Sequence, residues 1–180
     1  LQDTPDFLRY VESINRGPDL EDNNILVTWD VEGLYNNILH EEGLQSLEEG
    51  LNERVNPDVP TDFLVKLMEI ILKNNKFNFH DELYRQEVGC AMGSKPAPSY
   101  ADIFMSRKID NKIIRLAKRS LKIFKRFLDD IFSIYQGTTK DLHKLFDEMN
   151  CHHRKPTILC HSIVNEILTW SMVSKLMHVQ

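Results

Sequence analysis

The chain has 180 residues, enough for one domain with a real core, and its 42% hydrophobic and 27% charged content is ordinary for a globular protein. No apolar run approaches the roughly 20 residues that span a bilayer, and the acidic, amphipathic opening is not a secretory leader, so no membrane partner is expected. The net charge of −5 hides an asymmetry: residues 1–62 carry 15 acidic and 3 basic side chains, and residues 63–180 carry 12 acidic and 19 basic. One face can therefore be basic while the rest is not. Cys90, Cys151 and Cys160 form no disulfide framework, which fits a reducing, intracellular setting. The chain opens on Leu1 rather than Met and reads as a fragment or a processed chain.

The first predicted element is a helix over 3–15. Asp3 or Thr4 can cap it, Pro5 suits its first position, and Phe7, Leu8, Val11 and Ile14 share a face; Gly17-Pro18 ends it. A strand follows over 24–30, then a turn-like VEGLYNNI and a helix from about His40 to Glu53. After the linker NPDVP, Thr61 caps a helix with Phe63, Leu64, Leu67, Met68, Ile71 and Leu72 apolar. KFNFHDELYRQE alternates like a hairpin with its turn at Asp81-Glu82. The loop GCAMGSKPAP leads into a long helix from about Pro98 to Arg119. Strands over 121–128 and 131–136 flank Asp129-Asp130 as a tight hairpin that Gly137 closes. Thr138 with Asp141 resembles a capping box for a helix to Asn150, and a strand or strands can follow Cys151. The pattern predicts an α+β fold, an antiparallel sheet with helices packed on one face.

Three features point to chemistry. Asp129 and Asp130 interrupt an apolar run, and Asp30 ends the apolar strand NILVTWD. Adjacent like charges among apolar neighbours are tolerated in an exposed turn, or where a cation compensates them. If the two strands lie side by side, the three carboxylates can converge on divalent metal, the layout of a site with two ions about 4 Å apart. The plain alternative is a hairpin turn and a strand-end residue. In the glycine loop, backbone can approach a ligand closely and Ser94 can cap the next helix; an ordinary connection is equally consistent. In the long helix, Lys108, Lys112, Arg115 and Arg119 recur at helical spacing and can neutralise phosphates, or simply form a solvated face. Residues 107–126 hold nine basic side chains against Asp110 alone. Cys151-His152-His153 and Cys160-His161 match none of the common zinc spacings, and Cys90 has no identifiable partner base.

Read together, WDVEGLYNNI (29–38), FNFHDELYRQEVGCAMGSKPAPSYADIFM (77–105) and KRFLDDIFSIYQG (125–137) resemble reverse transcriptases of eukaryotic retroelements, and the Penelope-like group, relatives of telomerase, most closely of those considered. The resemblance covers most of 1–150 and implies a polymerase palm there, with fingers mostly missing. Residues 151–180 fit poorly and read as a diverged tail without a thumb; Lys155 precedes Pro156-Thr157-Ile158, whereas the family would have a lysine after such a segment. The implied activity is RNA-directed DNA synthesis: nucleotidyl transfer from a dNTP to a DNA primer 3′-hydroxyl on an RNA template. Asp30 and Asp129 would be the main ligands of two Mg2+ ions, with Asp130 in support and Mn2+ as a substitute. Tyr35 falls where the family places a steric gate against a ribose 2′-hydroxyl. Gly93, with Met92 and Ser94, resembles the segment that contacts the incoming nucleotide; Met92 stands where many members carry Gln. The implied location is intracellular, in the nucleus. The fragment alone is expected to be inactive. The rival from another class is an inactive retroelement remnant that binds nucleic acid at most, and a third is an untemplated nucleotidyl transferase or cyclase, which needs no extended basic surface.

Overall fold

The computed structural model describes residues 4–16, 23–150 and, as a backbone strand, 158–164. The order is α1 (Thr4–Asn15), β1 (Asn24–Val31), α2 (Leu34–Asn37), α3 (His40–Leu51), α4 (Thr61–Lys73), β2 (Lys76–Phe79), β3 (Glu82–Arg85), α5 (Ala97–Phe104), a π-helical segment (Met105–Asp110), α6 (Asn111–Leu116), β4 (Leu121–Phe127), β5 (Asp130–Gln136), α7 (Thr139–Asn150) and β6 (Ile158–Val164). The expected α+β class is the one adopted. Four antiparallel strands run in the order β4-β5-β1-β6, and β2-β3 is a separate hairpin.

Period-two alternation in β1 explains the layering. Ile25, Val27, Trp29 and Val31 are buried and join one core with Tyr100, Phe104, Ile109 and Ile113 of the long helix and with Leu142 and Phe146 of α7. In β5, Ile131, Ser133 and Tyr135 face the same way, opposite Trp29, Val27 and Ile25. The Trp29 indole N–H donates to Ser133 Oγ at 2.6 Å, and that hydroxyl donates to the Val27 carbonyl at 3.5 Å. On the opposite sheet face, the Phe7 ring of α1 meets Phe132 edge-on at 5.1 Å, and Lys125 Nζ lies 4.2 Å over the Tyr10 ring. Among the described residues no helix is long and apolar enough to cross a membrane.

Several local expectations shift. Pro60, not Thr61, sits at the α4 N-cap, and Thr61 Oγ1 instead accepts from Arg54 at 3.4 Å. The β2–β3 turn falls on His80-Asp81, both at positive φ (50° and 63°), because a primed two-residue turn matches strand twist. The box before α7 forms: the Asp141 N–H donates to Thr138 Oγ1 at 3.2 Å. The zinc reading of Cys151, His152, His153, Cys160 and His161 concerns side chains outside the described residues.

Ser133 is fully buried, so Ser133→Ala strands the Trp29 N–H without an acceptor. Denaturant unfolding is expected to show a loss of about 1–3 kcal/mol. A change within about 0.5 kcal/mol, the scatter of inconsequential substitutions, would show that the indole is satisfied elsewhere.

Candidate active site

The β4–β5 hairpin closes at the pair Phe127–Asp130, leaving Leu128-Asp129 as its two-residue turn. The expected turn on the Asp pair is thus displaced by one residue, and Asp130 is the first residue of β5. The cause is the β4–β5 register: Arg126 lies opposite Ile131 on the helix side, so the strands close at Phe127–Asp130. Leu128 is held at φ +52°, a conformation that strains a residue with a side chain and that tends to occur at functional sites.

Asp30 lies near the end of β1. Its neighbours Trp29 and Val31 point into the core, so Asp30 faces away, on the side of Leu26 and Thr28. Asp30 and Asp130 are the residues next to Trp29–Ile131, the last registered pair of β1 with β5. Asp30 and Asp129 are half-buried and Asp130 is exposed. Among the described residues, no three His, Cys, Asp or Glu side chains form a ready-made metal cage. Hard carboxylate oxygens nonetheless suit Mg2+, which is commonly held by one or two carboxylates together with substrate phosphates. A β1–β6 register shift between Thr28 and Trp29 lies beside Asp30, and such irregularities recur next to active sites.

Beneath the turn is a group that sequence reasoning passed over. Arg126 alternates onto the helix side of β4, with its side chain 9% exposed. Its Nε donates to both Asp110 oxygens at 3.0 and 2.9 Å, and Nη1 donates to Asp102 Oδ1 and to the Leu128 carbonyl, each at 2.8 Å. The signal was in the composition: Asp110 is the lone acid among nine bases in 107–126. Burial pushes the Asp110 carboxyl above its ordinary range while Arg126 pulls it down.

Tyr35 and the glycine loop meet. Tyr35 follows Gly33, whose φ of +59° opens the single turn of α2. The Cys90 N–H donates to the Tyr35 carbonyl at 2.7 Å, the Gly89 N–H to Ile38 at 3.1 Å, and His40 Nε2 lies 2.8 Å from the Gly89 carbonyl. Burial raises the Tyr35 phenol, and the negative charge of Asp129 raises it further, so these two predicted site residues share one electrostatic neighbourhood. Met92 is 64% exposed, and a Cβ at Gly93 would meet nothing within 4 Å. Ser94 does not cap: Pro96 holds the N-cap of α5, and Ser94 Oγ lies 3.7 Å from Cys90 Sγ. Burial raises the Cys90 thiol, the opposite of an activated nucleophile.

The basic stripe is broken. Its spacing presumes an unbroken α-helix, whereas the wider π turn over 105–110 contains Lys108, and Arg119 lies beyond the end of α6. Lys112 Nζ donates to the Met149 carbonyl at 3.1 Å and to Glu148 at 3.4 Å, serving the C-terminus of α7. Arg115 and Arg119 are exposed.

No protein-family model matches the chain, and no curated protein matches its sequence. Solved structures do. Apo telomerase from Candida tropicalis truncated from its C-terminal domain superposes with a TM-score of 0.66 at 13% identity, covering 94% of this chain and 36% of that one. Telomerase from Candida albicans in complex with a TWJ fragment of telomeric RNA superposes with a TM-score of 0.68 at 12% identity, covering 94% and 31%. A further apo telomerase structure from Candida tropicalis gives 0.65 at 12% identity, covering 92% and 33%. The chain spans about a third of the length of these telomerases, and the likeness is one of fold.

Gly89 tests how the loop is held. Its φ is +82°, and a Cβ there would stand 2.6 Å from the Tyr35 carbonyl. Gly89→Ala is expected to lower stability by at least about 2 kcal/mol, from left-handed strain plus a backbone clash. Thermal unfolding unchanged in this variant would show that the loop relaxes away from Tyr35.

Proposed function

We propose that this chain is the palm of a Penelope-like reverse transcriptase and takes part in RNA-templated DNA synthesis. The observation that supports the reading is that β1 and β5 pair up to Trp29–Ile131, the pair next to Asp30 and Asp130, with Asp129 in the adjoining strained turn, on a fold like that of telomerase. Asp30 and Asp129 would hold two magnesium ions, with Asp130 in support. The bound ions supply Lewis-acid activation of the primer 3′-hydroxyl and neutralise charge on the triphosphate. The chain's own residues position the reactants. The half-buried Tyr35 ring, close enough to feel the Asp129 charge, blocks a ribose 2′-hydroxyl and so favours deoxynucleotides. The open space at Gly93 lets backbone approach the nucleotide, beside the exposed Met92. Exposed Arg115 and Arg119 neutralise phosphates of the RNA template and DNA primer. The Candida albicans telomerase bound to telomeric RNA supports an RNA partner.

Primer extension on an RNA template, measured on the longest polypeptide that contains this chain, tests the assignment. Asp129→Ala is expected to lower the rate about a thousandfold, equivalent to about 4 kcal/mol of transition-state stabilisation. Undiminished extension sinks the catalytic role of this aspartate. Salt-sensitive binding of RNA–DNA duplex without any extension, even in the wild type, would leave only a nucleic-acid-binding module. In the same assay, Tyr35→Ala is expected to lower the preference for dNTP over rNTP about tenfold or more. An unchanged preference would return Tyr35 to a packing role.

A further inference from the structure

We propose that Arg126 is a positioning residue that sets the geometry of the Asp129 turn from beneath, through the Leu128 carbonyl. The proposal rests on the reading of Asp129 as a metal ligand and goes beyond it.

The turn is strained at Leu128, and strain persists only where surroundings over-determine it. Arg126 supplies that determination. One nitrogen, Nη1, donates both to the Leu128 carbonyl and to Asp102 Oδ1, each at 2.8 Å. Nε is held by both oxygens of Asp110. A planar guanidinium gripped on two edges has no rotational freedom left, so the carbonyl is referenced to the long helix rather than to the hairpin alone. Lysine, with a point charge, cannot reproduce this.

The helix is shaped for the grip. Asp102 and Asp110 are eight residues apart. A regular α-helix would turn them to positions about 80° apart around its axis. The π segment Met105–Asp110 widens the turn, lowers the rotation per residue, and brings both carboxylates to one guanidinium. Single π turns of this kind recur at functional sites.

Amide hydrogen exchange on the whole chain, without metal, reads the effect. In Arg126→Lys, the amides of Phe127 and Asp130, the pair that closes the hairpin, are expected to exchange about tenfold faster or more, while those of α3 keep their protection. Should Arg126→Lys not fold, Asp102→Ala serves, because that carboxylate is 57% exposed and its loss removes one acceptor of the grip. Unchanged exchange at these two amides, or acceleration spread evenly over the chain, overturns the assignment. Mn2+ binding followed by water-proton relaxation is the second reading. Arg126→Lys is expected to weaken it about 10- to 100-fold. Equal Mn2+ affinity in wild type and Arg126→Lys overturns the proposal. A wild-type chain that binds no Mn2+ overturns the metal reading of Asp129 instead, and the exchange data then decide on Arg126 alone.

Discussion

The antiparallel ladder between β1 and β5 is the constraint on which the site depends. Side chains alternate with period two, so a slip of one residue would carry Trp29 and Val31 out of the core and Asp30 into it. Burying an uncompensated carboxylate costs far more than any strand pairing returns. The bond from the Trp29 indole to Ser133 adds a specific lock, since only one register brings that donor and acceptor together inside the core. The Trp29 ring also packs against Phe146 of α7 at 4.5 Å between centroids. The outward position of Asp30 is therefore a consequence of how its neighbours pack.

The Arg126 cluster obeys a different logic. Taking a guanidinium and a carboxylate out of water carries a desolvation cost that a buried pair only partly recovers, and well-packed apolar residues commonly do as well. Stability alone gives little reason to place Arg126 on the core side of β4. What the charges add is direction: five N–H donors in a fixed plane reach two aspartates and one carbonyl, which an apolar side chain cannot do. The rise of the Asp110 carboxyl through burial, opposed by Arg126, shows both sides of this balance at one residue.

Much of this was legible in the residues, and the failures have physical causes. The apolar run NILVTWD, and the apolar run that Asp129-Asp130 interrupts, marked the strands beside the acids, because strands inside a sheet bury apolar side chains. The turn falls one residue before the Asp pair, since it is settled by how β4 pairs with β5 and not by the Asp pair itself. The stripe from Lys108 to Arg119 assumed 3.6 residues per turn throughout, and the π segment breaks that period. Thr61 and Ser94 look like caps by residue type, yet prolines hold both N-cap positions. Arg126 was invisible as a functional group because its partners lie 16 and 24 residues away on another element.

The uneven charge of the chain also takes on a different meaning in three dimensions. Arg107 pairs with Glu53, Arg126 with Asp102 and Asp110, and Lys112 serves the carbonyls of α7, so part of the basic stretch is engaged within the fold. The exposed bases Arg115, Lys118, Arg119 and Lys122 cluster where α6 passes into β4. The acids sit at the other end of that strand. Seven residues of β4 at about 3.3 Å each separate the two by roughly 20 Å. That exceeds the Debye length of about 8 Å at physiological salt, so the charges nearest the acids are those of Lys125 and Arg126 and not those of the distant cluster. The exposed basic cluster and the three acids thus lie at opposite ends of a single strand, with Lys125 and Arg126 at the acidic end.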